Sequence, residues 1–230
     1  MTQVERLDEL LAATRRLVRT VDSLSDDDLA APSVLPGWSR AHVVAHLALN
    51  AEALAGVLRG MTEGRDVPMY ASQEDRDARI EALSALGGGR LRDHFLSGTR
   101  RFQDALLKVP ADGWDGKFRR VATGEAVVSR AAIPAMRHRE VEIHHADLAA
   151  GYGTADWPEE FLDETFNRVV ADREDGPPTM LRTPDGDVPL AGGIGPLVFG
   201  TRADLTWWLL GRGDGTGLTA DQLPTLRSWR

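Results

Sequence analysis

Glu140 and His144 stand four residues apart in Arg139-Glu140-Val141-Glu142-Ile143-His144-His145-Ala146-Asp147, a stretch with no Gly or Pro from Ala135 to Ala150. On a helix that spacing puts both side chains on one face, about one turn apart. A carboxylate and an imidazole so placed can share one divalent metal. Two ligands do not make a site, and the best third is His46, in the helical pattern Ser39-Arg40-Ala41-His42-Val43-Val44-Ala45-His46-Leu47. One carboxylate with imidazoles suits Zn²⁺ or another borderline divalent ion. Three protein ligands leave room for water or substrate, which is the catalytic pattern rather than the structural one. Each half alone is also readable as ordinary helix surface, an i,i+4 pair worth a few tenths of a kcal/mol. Glu142 and His145 fall on other faces of the same helix and are expected to be solvated or packed, not ligating. His138 points away from Glu140.

Helices must position these residues. Val4, Leu7, Leu10, Leu11, Leu17, Val18 and Val21 recur at helical spacing, which predicts an amphipathic helix over about 3–22. A loop or short helix follows, to Pro36. Pro36-Gly37-Trp38-Ser39 reads as a helix start with Ser39 as N-cap, and the helix should run over about 40–60. Its apolar stripe is Val43, Leu47, Leu54 and Leu58, with His42, His46, Asn50 and Ala53 alongside. Another helix begins near Ser72. Gly87-Gly88-Gly89 breaks it or parts it from the next, whose stripe is Leu91, Phe95, Thr99, Phe102 and Leu106. A turn-rich connector with a short strand near Phe118 to Val121 leads to the Glu140 helix, with Pro134 in its first turn.

Composition shifts at Gly151-Tyr152-Gly153-Thr154, and a domain boundary is placed there: 1–150 is a helical bundle and 151–230 a small α+β domain. In the second, 157–173 reads as a helix. Pro184-Asp185-Gly186 turns a hairpin, 195–199 holds another strand, and Thr201 caps a last helix that stops at Gly211-Arg212-Gly213.

The net charge of −8 argues against general nucleic-acid binding, which needs a basic face. An anionic small ligand is still admissible. The chain has no Cys. Disulfides, thiolate metal sites and a protein thiol nucleophile are therefore excluded, and any thiol chemistry must arrive on a cofactor. No N-terminal run resembles a signal peptide, and no apolar stretch is judged long enough to span a bilayer. A soluble, cytoplasmic protein is expected, with no membrane partner. For want of an exposed apolar stripe, a monomer is the default.

These motifs carry a resemblance. Leu35-Pro36-Gly37-Trp38-Ser39-Arg40-Ala41-His42-Val43-Val44-Ala45-His46-Leu47, then Asn50, Val67-Pro68-Met69-Tyr70, Arg139 to Leu148, and Gly200 to Gly213 occur in the order seen in the mycothiol-dependent maleylpyruvate isomerase family. The chain resembles that family, a branch of the DinB-like metal-binding helical bundles, over most of its length. The resemblance implies a mainly α fold: a DinB-like four-helix bundle followed by a small α+β C-terminal domain. It implies that His46, Glu140 and His144 bind zinc and that Arg212 is needed for activity. His42 matches a family position without being made a ligand. The implied partners are mycothiol, a low-molecular-weight thiol cofactor, and a small anionic substrate. The implied reaction, part of aromatic degradation by the gentisate pathway, adds a zinc-held thiolate to the cis double bond of maleylpyruvate. Rotation about the new single bond and elimination then leave fumarylpyruvate. Arg212 would pair with a substrate carboxylate or enolate, although a cation after a helix C-terminus is favourable on dipole grounds alone. Asn50 and Tyr70 are candidate pocket residues. Two other readings stay open: a mycothiol S-transferase of the same fold acting on other electrophiles, and a non-enzymatic metal-binding bundle.

Overall fold

A computed structural model describes residues 3–227 and 229. The chain is mainly helical, as the residue pattern predicts, with small sheets. It divides into two compact units, Met1–Ala150 and Gly151–Arg230.

The first unit is built on four long helices: α1 (Gln3–Ser23), α3 (Arg40–Thr62), α5 (Gly88–Leu106) and α6 (Ile133–Asp147). Two shorter ones, α2 (Asp26–Ala30) and α4 (Gln73–Ser84), complete it. Helix α3 packs on α4, α5 and α6, and α1 lies along α6. Leu10, Leu17 and Val21 of α1 and Leu91, Phe95 and Phe102 of α5 are buried, so both helices show the apolar stripe their spacing requires.

Helix α3 departs from its expected single stripe. It is buried on nearly every face, from Ala41 through Leu58. Alanines at 41, 45, 48, 51 and 55 make this possible, since small side chains let neighbours come close. At Gly98 of α5 an added Cβ would stand 3.0 Å from the Ala48 carbonyl oxygen. The expectation about membrane spans also needs correcting. Helix α3 is long and apolar enough to cross a bilayer, but 78% of that window is buried inside the unit, which is how a bundle's central helix behaves.

Local signals explain the helix ends. The Ser25 hydroxyl accepts from Asp28 N–H and Ser72 accepts from Asp75 N–H, each an N-cap bond at 3.1 Å. Gly87 sits at φ +80° before α5. The glycine run parts α4 from α5 as expected, although Gly88 and Gly89 already belong to α5, and Gly88 faces Asp26 so closely that a Cβ would collide with the carboxylate. Strands β1 (Lys117–Arg119) and β2 (Val127–Ser129) pair antiparallel beside the connector. Tyr70 N–H donates to the Arg120 carbonyl at 3.0 Å, tying the α3–α4 loop to that ribbon.

The second unit holds α7 (Glu159–Ala171), β3 (Thr179–Thr183), β4 (Gly186–Leu190), β5 (Leu197–Phe199) and α8 (Arg202–Leu209). The hairpin forms at the expected turn, with Thr183 opposite Gly186. Strand β5 joins the other edge of β3 in parallel. Phe161, Phe166 and Val169 of α7 and Leu205 and Leu209 of α8 fill its core.

Candidate metal centre

His46 lies mid-way along the buried helix α3, and Glu140 and His144 lie one turn apart on α6. His46 is only 4% exposed. His46 Nε2 is 2.8 Å from Glu140 Oε2, and His144 Nε2 is 3.3 Å from the same oxygen. One ligand atom from each of the three residues lies within 4.8 Å of the others. The two imidazoles meet edge to face, with ring centroids 4.6 Å apart. Two imidazole nitrogens and a carboxylate oxygen converging on one point form a donor set suited to a borderline divalent cation.

The groups around this point are specific. His144 turns Nδ1 to the buried Asp147 carboxylate, 2.8 Å away. That carboxylate–imidazole pair fixes the ring and leaves Nε2 facing Glu140, the arrangement outer-shell partners give metal-ligating histidines. His42 does not join. Its Nδ1 accepts from Ser39 N–H at 3.2 Å, closing the start of α3, and its Nε2 is 3.3 Å from exposed Glu81.

Two arginines near the centre carry no local sequence signal. Arg76, in the first turn of α4, donates from Nη2 to His46 Nδ1 at 3.0 Å. Arg137, one turn before Glu140, is buried; its Nη1 donates to the Leu47 carbonyl at 3.0 Å and to Asn50 Oδ1 at 2.8 Å. Burial pushes the Arg137 guanidinium down to about 10, against the pull of Glu140 and Tyr70. Burial, then the Glu140 charge, pushes the Tyr70 phenol up. Asn50 and Tyr70 are thus both buried beside the centre.

The other faces of α6 are engaged elsewhere. Glu142, fully buried, pairs with Arg16 of α1 at 2.6 Å and lies 3.6 Å from His138 Nε2. His145 Nε2 is 2.8 Å from the Thr20 hydroxyl of α1. Both residues are packed, not solvated. Arg212 lies in the second unit just past α8, where its N–H donates to the Trp207 carbonyl at 3.1 Å and its Nη1 to the Leu210 carbonyl at 2.8 Å. Both contacts suit a cation behind a helix C-terminus.

Charge is distributed unequally over the centre. Burial pushes His46 down to about 4, despite the Glu140 hydrogen bond. For His144 burial is outweighed by hydrogen bonds to Asp147 and Glu140, and its pKa rises to about 9. Burial would raise Glu140, but hydrogen bonds to His144 and His46 hold it well below the usual carboxylate range. Stability of the metal-free protein should follow these directions. The His144 contribution is complete below the ordinary histidine pKa of about 6.5 and is lost as pH rises through about 9. The His46 contribution is present above about 6.5 and is lost as pH falls through about 4. Thermal melts of chelator-treated protein from pH 4 to 9 are expected to give a maximum between those limits, and His144→Gln should remove the alkaline fall.

The family model described as the mycothiol maleylpyruvate isomerase N-terminal domain matches residues 10–149. A crystal structure of the mycothiol-dependent maleylpyruvate isomerase superposes with a TM-score of 0.91 at 28% identity, covering 100% of this chain and 98% of that one. A mutant of the isomerase gives the same TM-score at 27% identity, again over 100% and 98% of the two chains. No curated protein sequence matches. With the family model spanning more than half of its residues, the chain belongs to the mycothiol maleylpyruvate isomerase family of enzymes.

Proposed function

We propose that this enzyme is a zinc-dependent, mycothiol-using cis–trans isomerase that converts maleylpyruvate to fumarylpyruvate. The observation that carries the reading is the convergence of His46, Glu140 and His144 ligand atoms within 4.8 Å. The full-length likeness to the solved isomerase supports it. His46, Glu140 and His144 would hold the zinc. When bound, the ion would supply a Lewis acid that keeps the thiol cofactor as its thiolate near neutral pH.

The chain's own groups supply the rest. Asp147 keeps a proton on His144 Nδ1 and so leaves Nε2 as the ligand nitrogen. Apolar helix α3 and buried Tyr70 shield the His46 side of the centre from water, which strengthens charge interactions there. Arg212 is assigned to a carboxylate or enolate oxygen of the anionic substrate, a task its planar fork suits. In this reading 1–150 is the metal-binding domain, 151–230 is the C-terminal domain that carries Arg212, and the protein works as a cytoplasmic monomer.

Turnover of maleylpyruvate by purified protein, with and without mycothiol and zinc, tests the proposal. Activity should require both. Turnover without any thiol would overturn it, whereas activity only on other electrophiles would identify an S-transferase. Arg212→Ala is expected to lower kcat by about 10²-fold, the scale of losing one oriented donor to developing charge. Zinc content should not change, and kinetics with metal analysis checks both.

A further inference from the structure

His46 and His144 differ in one respect that matters for metal loading. A ligating histidine normally donates its second N–H to an acceptor. His144 does so, toward Asp147. His46 faces a donor instead: its Nδ1 is 3.0 Å from Arg76 Nη2. A guanidinium has N–H groups and no acceptor, so Nδ1 must offer its lone pair. The ring proton then sits on Nε2, where it is donated to Glu140 Oε2 at 2.8 Å.

A neutral imidazole has one such lone pair, and a metal needs it. A metal at Nδ1 would take the place of the guanidinium. At Nε2 it would send the ring proton to Nδ1, setting N–H against N–H. Either way Arg76 must let go. Its surroundings say where it can turn. Arg76 Nη1 is held at 2.7 Å by Asp77, and the guanidinium carbon lies 5.9 Å from the Tyr70 ring centroid. Its side chain is 20% exposed, so it faces the outside of the bundle as well as the centre.

We propose that Arg76 and the metal exclude one another at His46, so that loading the metal releases this guanidinium to hold an anionic group of the substrate. Metal and anion binding are then coupled in order: the cation first, the carboxylate second. The inference rests on the metal-centre reading above.

Zinc affinity, read by competition with a chromophoric chelator, tests the first half. Arg76→Gln removes the competitor and can accept from Nδ1–H, so it should bind zinc about tenfold more tightly, the lower end for a hydrogen bond to a charged group. Equal or weaker binding overturns the exclusion. Maleate, a cis-dicarboxylate probe, tests the second half by calorimetry. Zinc-loaded parent protein should bind it about tenfold more tightly than zinc-loaded R76Q, the same scale for a charged hydrogen bond, and the metal-free forms should not differ. Equal maleate binding by the loaded proteins overturns the release. A third readout needs no variant: nitrogen NMR of the parent should show His46 Nδ1 unprotonated without zinc and changed on loading, together with the Arg76 guanidinium signals. Unchanged Arg76 signals overturn the proposal even if R76Q fails to fold. Failure of the underlying reading looks different, because neither protein would then bind zinc.

Discussion

Glu140→Gln is expected to fold like the parent and to lose the zinc that the proposed centre would hold. Glu140 Oε2 is the atom that both His46 Nε2 and His144 Nε2 approach, at 2.8 and 3.3 Å. The amide keeps the shape but removes the charge that balances the cation. The loss should exceed the 10–100-fold in affinity typical of removing an outer-shell partner. The maleylpyruvate turnover proposed above should fall with it. Metal analysis after dialysis, paired with a thermal melt, separates this from unfolding. A variant that retains one zinc per chain would remove Glu140 from the ligand set.

Two residues further along, Glu142→Ala should do the reverse. Glu142 is fully buried on the α1 side of the same helix, with Arg16 at 2.6 Å. Removing one member of a buried ion pair costs about 3–5 kcal/mol. Arg16 keeps partial contact with solvent, its side chain being 31% exposed, so the lower end of that range is expected. Urea unfolding reads the change. Zinc stoichiometry should remain that of the parent under conditions where the variant is folded. Together the two variants separate the two faces of α6, the one proposed to hold the metal and the one that holds the bundle.

The unequal treatment of these glutamates shows what a sequence discloses and what it hides. Glu140 and His144 stand out because i,i+4 spacing is local, and His46 offered itself as the third ligand from its own helical pattern, with the family resemblance implying the same set. The same spacing links His138 to Glu142, yet nothing in the letters says which pair faces α1. Arg76 and Arg137 were illegible for a related reason. Arg76 reaches His46 across 30 positions and Arg137 reaches Asn50 across 87, through space that no periodicity describes. Asp147 was within reach of inference, since it lies three positions after His144 on the same helix. The helices of α1 and α5 read clearly because each has one dry face. Helix α3 read less well because alanines make a wholly buried helix look like one that is partly polar.

His46 and Glu140 are 94 positions apart along the chain. A growing polypeptide therefore displays one imidazole long before its partners are synthesised, and no single helix of the bundle contains the full donor set. Contacts of such long range form late, after the loop-closure entropy has been met. The cation would then bind a finished tertiary structure instead of seeding it. The rate at which apoprotein takes up zinc during refolding would serve as a clock for the docking of α6 against α3.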